Sequence, residues 1–172
     1  MQQIKLNLWN YIKKVLCYYT GLRFVVNKFV HPWRRYSRLS DIPLNELKKI
    51  IREENIKTII LDMDGTLKHY KKGLTKENKK WVKSIKKFVN IYIVSNANNR
   101  YTSEIGNELN IPYISSARKP RKKSFQLVCD KTNCSPNEMI MIGDSIKNDV
   151  FGAYRFGIKR IILLDDLNMI DK

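Results

Sequence analysis

Thr58-Ile59-Ile60-Leu61-Asp62-Met63-Asp64-Gly65-Thr66 is the stretch that decides the fold. Its β-branched, apolar opening has the form that a buried parallel strand takes, and two aspartates and a glycine follow directly on it. In an extended segment Asp62 and Asp64 point the same way, and Gly65 lets the chain turn away without steric cost. Two close carboxylates repel, so a divalent cation between or beside them is the natural neutraliser. Taken alone, the same residues read equally well as an Asp-Gly turn after a strand.

Outward from this strand, helix-like and strand-like segments alternate. Ser40-Asp41-Ile42-Pro43 reads as a helix start, with Leu44, Leu47, Ile50 and Ile51 as the apolar stripe. Thr75 can cap a helix whose Trp81, Val82, Ile85, Phe88 and Val89 face inward and whose lysines face out. Strands are predicted over 91–94, 112–114, 139–142 and 160–164. Helices are predicted around Arg100 to Leu109, through Phe125, Val128 and Cys129, and from about Lys147 to Phe156. Strands alternating with helices imply right-handed crossovers and an α/β fold, a three-layer sandwich around a central parallel sheet.

The ends of these strands carry the chemistry. Ser95-Asn96 closes the second strand with a hydroxyl and an amide, Arg118-Lys119-Pro120 follows the third, and Gly143-Asp144 closes the fourth, with Asp149 five residues on. In an open parallel sheet ligands bind beyond the carboxyl ends of the strands. A cation, a lysine, a hydroxyl and several carboxylates around one point suit phosphoryl transfer, where the work is positioning and charge neutralisation. For Asp149 there is also the plainer reading of a helix N-terminal charge meeting the dipole.

Asp62-x-Asp64-Gly65-Thr66, Ser95-Asn96, Lys119-Pro120 and Gly143-Asp144-x4-Asp149 resemble, in order and in strand context, motifs one to four of the haloacid dehalogenase (HAD) superfamily of phosphohydrolases. The match runs over roughly residues 57–165. The resemblance implies that Asp62 is the nucleophile, forming an aspartyl-phosphate, and that Asp64 is the acid that protonates the leaving oxygen and then the base that activates water. It implies that Ser95 and the Asn96 backbone N–H hold phosphoryl oxygens and that Lys119 offsets charge on nucleophile and phosphate. Magnesium would be bound by the Asp62 carboxylate, the Asp64 backbone carbonyl and Asp144, supported by Asp149. An acid at Asp64 is the phosphatase pattern of the superfamily.

Asp64 and Ser95 are separated by 31 positions, and Ser95 and Lys119 by 24. Neither gap has room for a cap domain, so an open site is expected, suited to a large or surface-embedded substrate. Ile111-Pro112-Tyr113-Ile114 running into Ala117-Arg118-Lys119-Pro120, with an apolar helix before the first strand, is similar to the subfamily IIIA phosphatases of the YqeG and mitochondrial phosphatidylglycerophosphatase type. That resemblance implies hydrolysis of phosphatidylglycerophosphate to phosphatidylglycerol, a step toward cardiolipin. The chain departs from the branch at Gly65, where Asn is usual, and around Ser145.

The 172 residues suffice for one ordinary domain with a sizeable core, and 43% hydrophobic content is incompatible with disorder throughout. The charge of +17 predicts an anionic partner. It is confined to three segments: residues 1–40 carry +8 with no acid, 68–87 carry +8, and 118–123 carry +5, leaving the remainder at −4. In the first segment Leu8, Trp9, Ile12, Val15, Leu16 and Tyr19 share a helical face, and Phe24, Val25, Val26, Phe29, Val30 and Trp33 follow. Apolar, aromatic and basic residues without acids describe an interfacial helix on an anionic bilayer, although a helix packed on the domain with its lysines in water fits as well. Residues 1–40 are therefore expected to form a basic amphipathic extension and 41–172 the phosphatase domain. Three cysteines without a metal-binding spacing point to a reducing cytosol, and the whole predicts a cytoplasmic enzyme peripheral on the inner face of the membrane. The competing expectations are a nucleic-acid end phosphatase and a non-catalytic basic scaffold.

Overall fold

Thr58–Leu61 forms the central strand, β2, of the computed structural model, which describes residues 31–69 and 73–165. All four residues are buried, as befits a strand covered on both faces. The other strands of its sheet are β1 (Arg34–Tyr36), β5 (Asn90–Val94), β6 (Tyr113–Ile114), β7 (Met139–Gly143) and β8 (Arg160–Leu164), and β3 (Lys68–His69) and β4 (Gly73–Leu74) form a separate antiparallel hairpin. The six-stranded order is β1-β8-β7-β2-β5-β6, with every pairing parallel. The chain runs from β2 outward through β5 and β6, then crosses back to β7 on the other side of β2. The sheet therefore splits its connections at β2, and the crevice of a doubly wound sheet opens at that strand's carboxyl end.

The helices are α1 (Leu44–Glu53), α2 (Lys76–Ile85), α3 (Asn99–Leu109), α4 (Lys123–Thr132) and α5 (Phe151–Phe156). Leu47, Ile50, Ile51, Trp81, Val82, Ile85, Ile105 and Leu109 bury one stripe of α1, α2 and α3 in a core cluster with Ile59, Leu61, Ile91, Ile93, Ile140 and Ile142. Each such side chain, fully buried, stabilises the fold by roughly 1.5–3 kcal/mol against exposure. The Trp81 indole N–H finds the Ile42 carbonyl at 3.1 Å, so the largest core ring leaves no polar atom unsatisfied. The Thr75 hydroxyl accepts from the Asn78 N–H at 3.2 Å and caps α2 as expected.

Four local expectations are corrected. Ser40 and Asp41 do not start α1; they lie in a 3-10 turn, Leu39–Asp41, and Pro43 occupies the N-cap. Phe88 does not face inward: α2 ends at Ile85, the chain turns, and the ring is 51% exposed with the Lys48 ammonium 4.6 Å from its centroid. The helix expected from Lys147 is a π-turn, Ile146–Val150, leading into the short α5.

The fourth correction concerns the domain boundary. Arg34–Tyr36 pairs with Ile162, Leu163 and Leu164 of β8, the Trp33 N–H donates to the Ile161 carbonyl at 2.8 Å, and Leu39 is buried, so the sheet-bearing unit begins at Pro32 and not after residue 40. Residues 1–30, which carry most of the expected amphipathic extension, lie outside the described residues. Among the described residues no helix is long and apolar enough to cross a membrane, and Cys129 and Cys134 are free.

Candidate active site

The Asp62 N–H still bonds to the Ile142 carbonyl at 3.0 Å, so the first aspartate leaves β2 with its backbone fixed by β7. Beyond it the chain turns at Gly65, whose φ of +80° lies in the left-handed region. A Cβ at Gly65 would overlap the Asp144 carboxylate, and one at Gly143 would overlap Asp149. These two glycines let backbone approach the carboxylates. Gly65, where the resembling branch has Asn, thus goes together with the place that Asp144 takes in this chain.

On the β6 side, the loop carrying Lys119 is held from three directions. Ser116 and Arg118 have positive φ, a conformation that costs roughly 1–2 kcal/mol for a residue with a Cβ. The compensating bonds run from the Ser116 N–H to the Ala97 carbonyl (2.8 Å) and from the Ala117 N–H to the Ser95 carbonyl (2.9 Å). The Asn96 side chain completes the hold, its Oδ1 accepting from the Lys119 N–H at 2.7 Å and its amide donating to the Lys119 carbonyl at 3.1 Å. Asn96 is expected to serve through its backbone N–H; its side chain here grips the peptide of Lys119.

Lys119 is thereby delivered into the floor of the site. Its ammonium donates to Asp62 Oδ1 at 2.7 Å and Asp149 Oδ1 at 2.6 Å, and its side chain is 2% exposed. Asp149, at 0% exposure, also accepts from the Ser145 N–H at 3.0 Å through Oδ2. Both its oxygens are committed to protein donors, so it is a holder of Lys119 and of the turn after β7, a role stronger than a helix N-terminal charge. Ser95 is buried, and its hydroxyl accepts from the Ala97 N–H at 3.0 Å, which leaves the hydroxyl proton directed elsewhere. The Asp64 carboxylate stands apart from Lys119 and pairs with Lys68 at 3.2 Å, two residues beyond Thr66.

Asp62, Asp144 and Asp149 bring carboxylate oxygens within 4.8 Å of one another. One lysine cannot neutralise three carboxylates in a buried place. Burial, then the Asp149 charge, push the Asp62 carboxyl up to about 8 against the pull of Lys119. Burial and Asp149 lift Asp144 to about 6. Burial by itself would lower the Lys119 ammonium, but the charges of Asp149 and Asp62 carry it upward on balance. An all-oxygen donor set with surplus negative charge fits a hard divalent cation. With Asp149 held by protein donors, Asp62 and Asp144 are the carboxylates that would face it.

This surplus charge has a measurable consequence. A carboxyl raised in the folded chain keeps its proton between its ordinary value near 4 and about 8, whereas the unfolded chain releases it there, so the metal-free protein loses stability as pH rises through that window. Even one effective unit corresponds to about 1.4 kcal/mol, or a melting-temperature shift of roughly 3 °C for a chain of this size. In EDTA the protein is expected to melt lower near pH 8 than near pH 5.5, and millimolar magnesium or manganese to cancel the difference. A metal-free melting temperature that climbs over this range would contradict the account.

Between Asp64 and Ser95 the described residues form the β3–β4 hairpin, α2 and β5; between Ser95 and Lys119 they form α3 and β6. No cap domain covers the site among them. Sequence reasoning missed Lys68, the glycine clearances at positions 65 and 143, and the side-chain role of Asn96. Adjacency to a motif was the one signal available for each.

The family described as "HAD-hyrolase-like" matches residues 116–169. A curated relative, "Probable phosphatase YqeG" of Bacillus subtilis (strain 168), is 32% identical over 116 residues, covering 66% of this chain and 67% of the relative. Among solved structures, an uncharacterized protein from Listeria monocytogenes serotype 4b superposes with a TM-score of 0.51 at 19% identity, covering 60% of this chain and 75% of that one. A putative HAD family hydrolase from Streptomyces avermitilis MA-4680 gives 0.50 at 14% identity, covering 63% and 76%. At those identities the two structures speak for the shared fold. The sequence kinship to YqeG extends over two thirds of both chains, and with it this chain belongs to the HAD superfamily, as a phosphatase of the YqeG kind.

Proposed function

We propose that this HAD phosphatase is magnesium-dependent and removes the terminal phosphate of phosphatidylglycerophosphate, leaving phosphatidylglycerol, while resting on the inner face of an anionic membrane. The observation that carries the chemistry is the Asp62 carboxylate held by Lys119 at the uncapped end of the central strand. Asp62 attacks phosphorus as the bond to the leaving oxygen breaks, giving an aspartyl-phosphate, and Asp64 donates the proton that the departing alkoxide requires. Asp64 then takes a proton from water, whose oxygen attacks the same phosphorus and frees inorganic phosphate and Asp62. Ser95 and the Asn96 backbone N–H hold phosphoryl oxygens, and Lys119 offsets the charge that builds on them. Magnesium, held by Asp62, the Asp64 carbonyl and Asp144, would supply the positive charge that keeps Asp62 ionised for attack.

The lipid part of the reading rests on the uncapped site and on where the basic residues fall. Lys119 leads directly into Arg121, Lys122 and Lys123, all three exposed, and Arg118 just before it is exposed as well. A surface of this sign favours phosphate presented within an anionic layer, with roughly 1 kcal/mol gained per basic residue near the surface. The test is phosphate release from phosphatidylglycerophosphate in vesicles of phosphatidylglycerol or of phosphatidylcholine, with 5′-phosphorylated oligonucleotides and soluble phosphates alongside. Magnesium-dependent release, faster on the anionic vesicles and slowed by salt, is expected. Preference for the oligonucleotide would replace the lipid with a nucleic-acid end.

A further inference from the structure

Lys68 takes no part in the chemistry as described, yet it stands beside it. Its backbone is fixed to the catalytic turn: the Gly65 N–H donates to the Lys68 carbonyl at 2.9 Å, and the Lys68 N–H donates to the Met63 carbonyl at 3.0 Å. Its ammonium lies 3.2 Å from Asp64 Oδ1 and 5.5 Å from the centroid of the Tyr101 ring. Tyr101 is exposed in the first turn of α3, where the Asn98 side chain accepts from its N–H at 3.3 Å. Lys68 and Tyr101 thus come from the segments after β2 and after β5, two neighbouring strands of the sheet.

Depth separates this lysine from the other one. Lys119 is 2% exposed and fully engaged by two carboxylates, whereas Lys68 is 22% exposed and its neighbour Asp64 30%. An ammonium carries three donors and no acceptor. Asp64 pairs with its charge at 3.2 Å, and the face of Tyr101 attracts that charge without consuming a donor.

The reaction places a particular part of the substrate here. Displacement at phosphorus is roughly in line, so the leaving oxygen departs on the side away from Asp62 and meets Asp64. A cation touching Asp64 is therefore next to the leaving alcohol and not next to the transferred phosphoryl group. We infer that Lys68, flanked by Tyr101, is a specificity residue that binds a second anionic group, a carboxylate or phosphodiester, carried by the leaving alcohol. This rests on Asp64 acting as the acid of the proposed reaction, and it deepens that reading, since the leaving alcohol of phosphatidylglycerophosphate is phosphatidylglycerol, whose head group bears a phosphodiester.

The alternative is that Lys68 merely props Asp64, and two substrates tell them apart. 3-Phosphoglycerate and glycerol 3-phosphate differ by a carboxylate against a hydroxymethyl on the leaving alcohol. Each is measured as a substrate and as a competitor of 4-nitrophenyl phosphate hydrolysis by the full chain with magnesium. In Lys68→Gln the advantage of phosphoglycerate over glycerol phosphate should shrink about tenfold, mainly through KM or the inhibition constant, and Lys68→Arg should restore it. Equal losses on both compounds would make Lys68 a prop for Asp64 and overturn the inference, as would no loss on either. Wild-type protein that ignores phosphatidylglycerophosphate but keeps a Lys68-dependent preference for phosphoglycerate would support the leaving-group site and remove the lipid substrate.

Discussion

Replacing Asp62 with Asn is expected to lower phosphate release by about 10⁴-fold or more while raising the melting temperature of the metal-free protein by about 3 °C or more. The first effect follows from the nucleophilic role proposed for Asp62: an amide oxygen forms no aspartyl-phosphate, and no other carboxylate among the described residues stands both at the end of β2 and within 2.7 Å of the Lys119 ammonium. The second follows from the crowding of Asp62, Asp144 and Asp149, which lifts the Asp62 carboxyl to about 8. At neutral pH the ionised form is the costly one in the metal-free fold, and an Asn of the same shape carries no charge yet still accepts from Lys119. Turnover and thermal melting in EDTA read the two effects on one variant. Activity retained by Asp62→Asn would remove the covalent mechanism, and a lowered melting temperature would remove the picture of a site strained by its own charge. Opposite signs in function and stability are what a catalytic carboxylate under electrostatic load should show.

What the sequence revealed and what it concealed divide along the same physical line. Asp62, Ser95 and Asp144 each end a strand of their own, and strand ends are local: a run such as Ile91-Tyr92-Ile93-Val94 followed by a hydroxyl is legible in a few residues, and a parallel sheet brings all such ends to one edge. The pairings across that edge were not legible. Nothing in the spacing says that Asn96 closes on the peptide of Lys119, or that Asp149, 30 residues beyond Lys119, takes its ammonium. The edge strand Arg34–Tyr36 was hidden for another reason. It is three residues long, half-exposed and doubly basic, and its identity comes from the β8 backbone it pairs with and from the Arg35–Asp165 ion pair at 3.0 Å. The Phe88 periodicity misled because helical spacing continues on paper after the helix has stopped at Ile85.

Replacing Lys119 with Met should act in the opposite thermal direction from Asp62→Asn, and more strongly. The ammonium is the positive charge that the structure places between Asp62 and Asp149, at 2.7 and 2.6 Å. Removing one partner of a buried ion pair costs about 3–5 kcal/mol, because the carboxylates left behind have neither water nor a counter-charge, which for a chain of this size means a fall of roughly 10 °C in melting temperature. Turnover should fall by at least about 10²–10³-fold with the loss of charge stabilisation. Since a Lys119→Met chain that barely folds would say little about chemistry, the informative protein is the double variant. With Asp62 already changed to Asn, Lys119 has one carboxylate fewer to serve, so its removal should cost less than it does in the wild type, and the two changes should be non-additive. Urea unfolding of the four proteins in EDTA measures that coupling. Additive effects would mean that Lys119 stabilises the fold through Asp149 alone and that its contact with Asp62 belongs to catalysis, not to the stability of the resting site.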